Sequence, residues 1–341
     1  MNSVEDFVLS STLLQESPTS VLLLFLSNAR IDNCSFDNTT GGTFGSVVVV
    51  DSTVNFVNNT FANNVAISQG GALHAERGIL DFSGHNIFVR NSAGWLGGAA
   101  YFLQCNVTFY GSTYFVSNIA QLIGGAVYST ESMLTFIDNV TFESNYGSIS
   151  GGGIEANNTV LVSSSNSYCT FVNNSAILLG GGANLADSSI EFSGTTIFTE
   201  NTIDLDLGGS GGGISGFTTT LTFNGTTIFS GNSAIWQGGG LFVTQSALTF
   251  GGTSLFTNNS ASISGGGIEA SESDVMLVGN TSFVSNSATN LFGGGMCASL
   301  SNVTTCGITS FVNNSASGLI TYNCTVTILG NTQFISNSAT C

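Results

Sequence analysis

Cations are almost missing from this sequence. It has no lysine; Arg30, Arg77, Arg90, His74 and His85 face 20 acidic residues, giving a formal charge of −17. Nothing in such a chain can neutralise a phosphate backbone, which argues against a nucleic-acid partner. The same acid excess argues against attraction to an anionic membrane surface. Proline occurs once, at Pro18, and charged residues make up only 7%, so the solvent face must be built from Ser, Thr, Asn and Gly. Long apolar runs are missing as well: VLLLFL at 21–26 is strand length, far short of a membrane span. No stretch repeats apolar residues at three-and-four spacing over ten or more residues, as a helical solenoid requires. The opening MNSVEDFVLSS carries acids where a secretory signal has a basic region, so no signal is visible.

What is present is one unit repeated. Its parts are a Phe, an Asn three residues on, an Ala two further, an apolar residue two further, and a Gly pair that opens the next apolar run. With the Phe as phase zero, copies begin at Phe61, Phe88, Phe115, Phe142, Phe171, Phe198, Phe229, Phe256, Phe283, Phe311 and Phe334, with looser copies at Phe36 and Phe7. A fixed period near 27 residues signals a solenoid. Phase three is Asn throughout: Asn64, Asn91, Asn118, Asn145, Asn174, Asn201, Asn232, Asn259, Asn286, Asn314 and Asn337. If each repeat is one coil, these amides stack into a structural ladder, each donating to the next carbonyl. Phase five is small, mostly Ala (Ala66, Ala93, Ala120, Ala176), and phase seven bulky (Trp95, Leu122, Ile149, Leu178, Leu205, Trp236, Ile263). Alternate positions of constant character predict an inward strand face, with phase seven inside.

A second Phe column (Phe82, Phe109, Phe136, Phe192, Phe223, Phe250) precedes the first by six residues. At roughly 150–250 Å² per buried ring, two Phe stacks could supply most of a core. The Gly pairs mark a corner that needs positive φ or a close backbone approach. The expected architecture is all-β: a right-handed parallel β-helix in one domain over 1–341, of about twelve coils with three strands each. Residues 1–60 carry degraded coils, 61–310 the regular repeats, and 311–341 a shortened terminal coil, where the Gly pair is missing. Neither terminus reads as an amphipathic cap, so both ends are expected to be open.

Chemistry-bearing residues are sparse. β-helical lyases need Arg or Lys and commonly calcium; hydrolases need paired carboxylates about 5–9.5 Å apart. The three Arg are dispersed, and Glu155 and Glu269 share the motif GGGIEA in coils far apart. His74 and His85 read as surface residues, and no catalytic residue, cofactor or metal site is expected. The long copy at 198–229 places Asp204 and Asp206 beside Glu200; this reads as an acidic bulge, with a calcium loop the lesser alternative. Seven cysteines cannot all pair internally: buried free thiols and an oxidised end cap among Cys297, Cys306 and Cys324 stay open, while metal binding lacks the C-x-x-C spacing. The fourth residue after each first Gly varies beside constant neighbours, which suggests a solvent-facing column on a flat sheet. Its aromatics Tyr101, Tyr128 and Phe242 are the candidate ligand contacts.

Sequons fall at Asn33, Asn38, Asn58, Asn106, Asn139, Asn157, Asn173, Asn224, Asn258, Asn280, Asn302, Asn313 and Asn323. Asn38, Asn173, Asn258 and Asn313 share phase two, at a turn; Asn33, Asn58, Asn139 and Asn280 share a phase opposite in parity to the inward Phe. Glycans there would point outward.

The signatures FVNNSA, FTNNSA and FVSNSA, paired with GGGIEA and GGALHA, resemble the polymorphic outer membrane protein (Pmp) repeat of chlamydial surface autotransporters and of long secreted eukaryotic proteins. The resemblance spans about residues 55–340. It implies an extracellular β-helix and, from the bacterial passengers, adhesion; the autotransporter's C-terminal barrel is not visible here. The expected function is a non-enzymatic extracellular or cell-surface glycoprotein, a subunit of a filament or coat built by end-to-end stacking on itself or on adjacent domains. The alternative is an adhesin passenger binding a host or neighbouring-cell ligand. N-linked glycans are expected, and nucleic acid and membrane insertion are not.

Overall fold

The computed structural model describes residues 6–203, 208–289 and 292–338. It contains β-strands and no helix among these residues, and every strand pairing is parallel between successive coils. The sheets hold 13, 13, 12 and 10 strands, close to the expected twelve coils. One coil shows the plan: Leu73–Glu76, Ile79–Ser83, His85–Val89 and Ser92–Ala93. We call these four walls the Gly-Gly sheet, the T-x-F sheet, the F-x-x-N sheet and the short sheet. The fourth wall was not expected. Its strands are two residues long in most coils, too short to leave a mark in a pattern read by alternation.

Three of the four corners are turned by a left-handed residue throughout the regular repeats, and the corner between the T-x-F and F-x-x-N sheets in the early coils only, as at Asn33, Asn58 and Gly84. In the coil just described these are Arg77 (φ 50°), Gly84 (φ 70°), Arg90 (φ 52°) and Gly97 (φ 63°). The first Gly of every pair sits at positive φ, from Gly70 at 60° to Gly293 at 62°. The second Gly answers the other requirement: a Cβ on Gly98 would lie 2.1 Å from the Gly125 carbonyl oxygen of the next coil. Phase two is itself a left-handed corner, occupied by Asn38, Asn173, Asn258 and Asn313 among others. Asn tolerates that conformation better than most residues, a backbone reason for its recurrence there.

Two ring columns fill the interior. The phase-zero stack runs unbroken from Phe36 to Phe334, with successive centroids 4.4–5.0 Å apart. The second column meets it edge-on, as Phe82 does Phe88 at 5.9 Å and Phe223 does Phe229 at 83°. Stacked along the axis and T-shaped across it, the rings satisfy both favourable aromatic geometries. Phe7 is not part of the phase-zero column: it pairs with Ala29 in the T-x-F sheet and is 40% exposed, while Leu14 stands opposite Phe36.

The asparagines form a continuous ladder from Asn64 to Asn337. Asn118 is typical. Its Nδ2 donates to Asn145 Oδ1 and to the Phe88 carbonyl, both at 3.0 Å, and its Oδ1 accepts from the Asn91 backbone N–H and Nδ2 at 3.0 Å. The side chain thus satisfies buried backbone groups at a corner where the strand ladder is interrupted. A second ladder, of hydroxyls and thiols, lines the corner between the Gly-Gly and T-x-F sheets. The Cys105 N–H donates to Ser132 Oγ, Thr159 N–H to Ser188 Oγ, Ser246 N–H to Ser273 Oγ and Ser301 N–H to Cys324 Sγ. Cys105 and Cys324 therefore stand in for serines. All six described cysteines are free thiols, four of them buried; burial pushes the Cys105 thiol up to about 11 and Cys169 to about 12. Cys341 lies outside the described residues.

Candidate ligand groove

The column expected on a flat exposed sheet runs His74, Tyr101, Tyr128, Glu155, Asn184, Ser215, Phe242, Glu269, Cys297, each in register with the next. Its side chains leave the outer face of the Gly-Gly sheet but do not reach open solvent. Tyr101 is 7% exposed, Glu155 4%, Glu269 3% and His74 1%; Tyr128 and Phe242 are half-buried. The cause is the segment after the short sheet. Past phase five the chain swings outward to the positive-φ Gly, and the residue before that Gly forms an isolated parallel bridge with its counterpart in the next coil. These bridges run Gln69, Leu96, Ile123, Ser150, Leu179, Ser210 and resume at Gln237, Ser264, Phe292. They make a low wall beside the column, so the outer face is the floor of a groove.

The same geometry overturns the inward placement of phase seven. Trp95 is 58% exposed, Trp236 49%, and Leu122 and Ile149 39% each. The inward run ends at phase five, where Ala66, Ala93 and Ala120 are buried and Ile203 takes the same place in the longer copy. Phase seven keeps inward parity but has no interior left to enter, so its large side chains crest the wall. Leu205 lies outside the described residues.

The groove floor changes character along the rod. Near the N-terminus it is a ring stack: Phe44 on His74 at 4.1 Å, His74 on Tyr101 at 4.9 Å, Tyr101 on Tyr128 at 5.5 Å. His74, expected at the surface, is thus sandwiched between rings; its Nε2 contacts Glu76 Oε1 at 3.1 Å and its Nδ1 has no partner. Burial holds its pKa below the ordinary value and pushes the Tyr101 phenol up to about 12. The candidate contacts Tyr101 and Tyr128 therefore present ring edges and hydroxyls rather than faces. His85, by contrast, is exposed.

Further along, Glu155 is held by Ser150 Oγ at 2.7 Å and Asn184 Nδ2 at 2.8 Å, and burial raises its carboxyl to about 7. Phe242 meets Phe217 edge-on at 5.8 Å and lines a recess of about 340 Å³ with Trp236 and Leu178. A second recess, of about 370 Å³, opens around Glu269, Cys297, Phe292 and Tyr322. No group of three or more metal-ligating side chains occurs among the described residues. Asp204 and Asp206, the alternative calcium ligands, lie outside them.

The sequon asparagines decorate other faces. Asn33, Asn38, Asn58, Asn106, Asn139, Asn173, Asn224, Asn258, Asn280, Asn302, Asn313 and Asn323 are exposed. Asn157 is half-buried at the groove, its Nδ2 donating to the Tyr128 hydroxyl at 3.2 Å.

Comparison with known proteins places the repeat. No curated protein matches the chain. One solved structure that does, the crystal structure of a TibC-catalyzed hyper-glycosylated TibA fragment, is 13% identical over 98% of this chain and 100% of that one, with a TM-score of 0.36; a likeness this weak supports no functional argument. The family model of the Chlamydia polymorphic membrane protein repeat matches residues 60–76 and 253–271. Both segments run from the F-x-x-N strand through the Asn rung to the Gly-Gly strand, the parts that carry the ladder and the corner glycines. At these two places the chain matches the Chlamydia polymorphic membrane protein repeat, and its described length is wound into a parallel β-helix.

Proposed function

We propose that the protein is a non-enzymatic extracellular β-helix of the adhesin type, which binds its ligand along the groove on the outer face of the Gly-Gly sheet. The observation that carries this reading is the groove itself. Both tryptophans of the chain, Trp95 and Trp236, stand with Phe292 on its crest, with 48–58% of their surface exposed. Exposed aromatics beside a groove floored by rings, amides and carboxyls are a pattern of recognition surfaces rather than of inert ones. The Pmp repeat supports a surface location. Against catalysis stands the separation of the two groove carboxylates: Glu155 and Glu269 are four coils apart, about 19 Å at 4.8 Å per coil, beyond the span a carboxylate pair works across.

The test is binding of the purified chain to a panel of intact cells and immobilised glycans, repeated with Trp95→Ala plus Trp236→Ala. The double variant should retain the β-helix by circular dichroism and lose most of its binding. Binding that survives the double substitution would place the adhesive surface elsewhere.

A second reading, a filament or coat subunit that stacks end to end, is favoured by one specific observation. The last described coil leaves inward side chains uncovered, with Phe334 53% and Ile328 52% exposed, and unpaired strand edges beside them. A further coil, from a second copy or an adjacent domain, would cover them. Electron microscopy separates the readings: filaments with an axial repeat of one rod length support stacking, and discrete short rods sink it.

A further inference from the structure

We infer that the recess around Glu269 is a binding site for an alkylammonium group, carried by a free amine or by the lysine side chain of a partner protein. The inference rests on reading the groove as a binding face and adds the chemistry of one site in it. It begins with a comparison internal to the chain. Glu155 and Glu269 occupy the same position of the same motif, GGGIEA, on the outer face of the Gly-Gly sheet. Around Glu155 each carboxylate oxygen has a donor, one taking the Ser150 hydroxyl and the other the Asn184 amide. At Glu269 the coil above offers Cys297 where Glu155 has Asn184. A thiol is a weak donor; the Ser264 hydroxyl and the Cys297 thiol both approach the Glu269 carboxyl and favour its ionised form, yet Oε2 itself has no hydrogen-bond partner in a residue only 3% exposed.

Beside that oxygen the protein leaves space: the recess of about 370 Å³ is walled by Ile263, Phe292 and Tyr322, with Ser264 next to Glu269. That volume lies within the usual range for small-molecule sites, roughly 300–1,000 Å³. The lining suits methylenes and, at its two aromatic rings, a cation. No cation of the chain can serve Glu269, since Arg30, Arg77 and Arg90 all belong to the N-terminal third. The remaining titratable groups facing it are Cys297 in the next coil and Tyr322 at the mouth; neither supplies positive charge. A buried carboxylate without a counter-ion keeps part of its population protonated near neutrality, its pKa raised by burial to about 7. An incoming ammonium would ionise it, donate to the vacant Oε2 and bury its chain against Ile263 and Phe292. The net charge of −17 draws cations toward the rod at long range.

The experiment is a calorimetric or NMR titration of the full chain with n-butylammonium chloride at about pH 8, with n-butanol as the neutral isostere and Nα-acetyl-lysine methylamide as the side-chain probe. Saturable binding of butylammonium is expected, with butanol, and butylammonium to Glu269→Gln, at least about tenfold weaker, as loss of a charged hydrogen bond implies. Glu155→Gln should bind like the wild type. Tyr322→Ala, at the exposed mouth, gives a second reading that does not depend on altering a buried position, and should weaken binding several-fold. Lysine-probe affinity matching or exceeding that of butylammonium assigns the source to a partner's side chain; clearly weaker affinity assigns it to a free amine. Butanol binding as well as butylammonium, an unaffected Glu269→Gln, or no saturable binding overturns the inference. Cell binding lost in the tryptophan double variant while butylammonium fails to bind would overturn this site and leave the groove reading intact.

Discussion

Replacing Asn118 by Ala tests whether the amide ladder holds the coils together or merely fills a corner. The substitution removes the Oδ1 that accepts the Asn91 backbone N–H and the Nδ2 that donates to the Phe88 carbonyl. Other partners survive: Asn91 Nδ2 keeps the Phe61 carbonyl, and Asn145 Oδ1 keeps the Asn118 backbone N–H. Two buried backbone groups are therefore orphaned. At about 1–3 kcal/mol for each unsatisfied buried group, the expected loss is roughly 2–6 kcal/mol. Asn337→Ala is the matched control. It orphans the equivalent Asn314 N–H and Phe311 carbonyl, but Asn337 is half-buried, so water can replace the amide and the loss should be about 1 kcal/mol or less. Urea unfolding followed by circular dichroism gives the global difference. Hydrogen exchange at the Asn91 amide gives the local one, which matters because solenoids open in segments. A cost for Asn118→Ala below about 1 kcal/mol, or equal costs at the two positions, would refute the argument that buried backbone satisfaction is what the ladder supplies.

The remaining tests address the core, the corner, titration and modification. Phe198→Ala removes a ring stacked 4.4 Å from Phe171 and 5.0 Å from Phe229; a loss of about 3–5 kcal/mol in urea unfolding is expected. Gly98→Ala drives a methyl to 2.1 Å from the Gly125 carbonyl oxygen, so it should destabilise by several kcal/mol although alanine favours folding at unstrained sites; a neutral or stabilising result would show that the coils can separate there. Burial raises Glu155 and Glu269 to about 7 in the folded chain, above the ordinary 4.5. The unfolded chain then releases its protons first, so stability falls as pH rises from about 4.5 to about 7 and levels off above; Glu155→Gln with Glu269→Gln should flatten that slope in melting temperatures. When the chain is secreted from a eukaryotic cell, peptide mapping should find glycans on exposed asparagines such as Asn173 and Asn258 and none on Asn157, which is tied to Tyr128. Occupancy at Asn157 would show that the groove opens before the coils close.

Repetition is a global signal, and most of the fold was readable from it. A column of Asn64 through Asn337 or of the phase-zero phenylalanines has one simple explanation, stacking at a common azimuth, and the rings and amides do stack. That the Gly pair meets positive φ or a close approach was equally legible, because only glycine suits either need; which Gly meets which was decided by the fold. The hydroxyl ladder was present in the sequence as a column too, with Ser132, Ser188, Ser246, Ser273 and Ser301 at one phase. In a chain so rich in serine it does not stand out, and the interspersed Thr and Cys conceal it.

The exposure of the variable column was read wrongly because parity says which side of a strand a residue leaves and not what lies on that side. His74, Tyr101 and Glu269 do point out of the β-helix core, as their variability suggests, yet each is buried by a wall built from a different part of the coil. Trp95 and Trp236 have inward parity and are exposed, because the coil closes at phase five before reaching them. The unsatisfied oxygen of Glu269 depends on whether a residue one coil away is Asn or Cys, a pairing fixed by register. What the sequence by itself determined is therefore the coil and its stacking, since each column contributes the same interaction many times over and the repeats reinforce one another. What only the tertiary structure decided is the groove. Its shape comes from where four short walls and their corners place the chain in cross-section, a matter of backbone closure that no single column records.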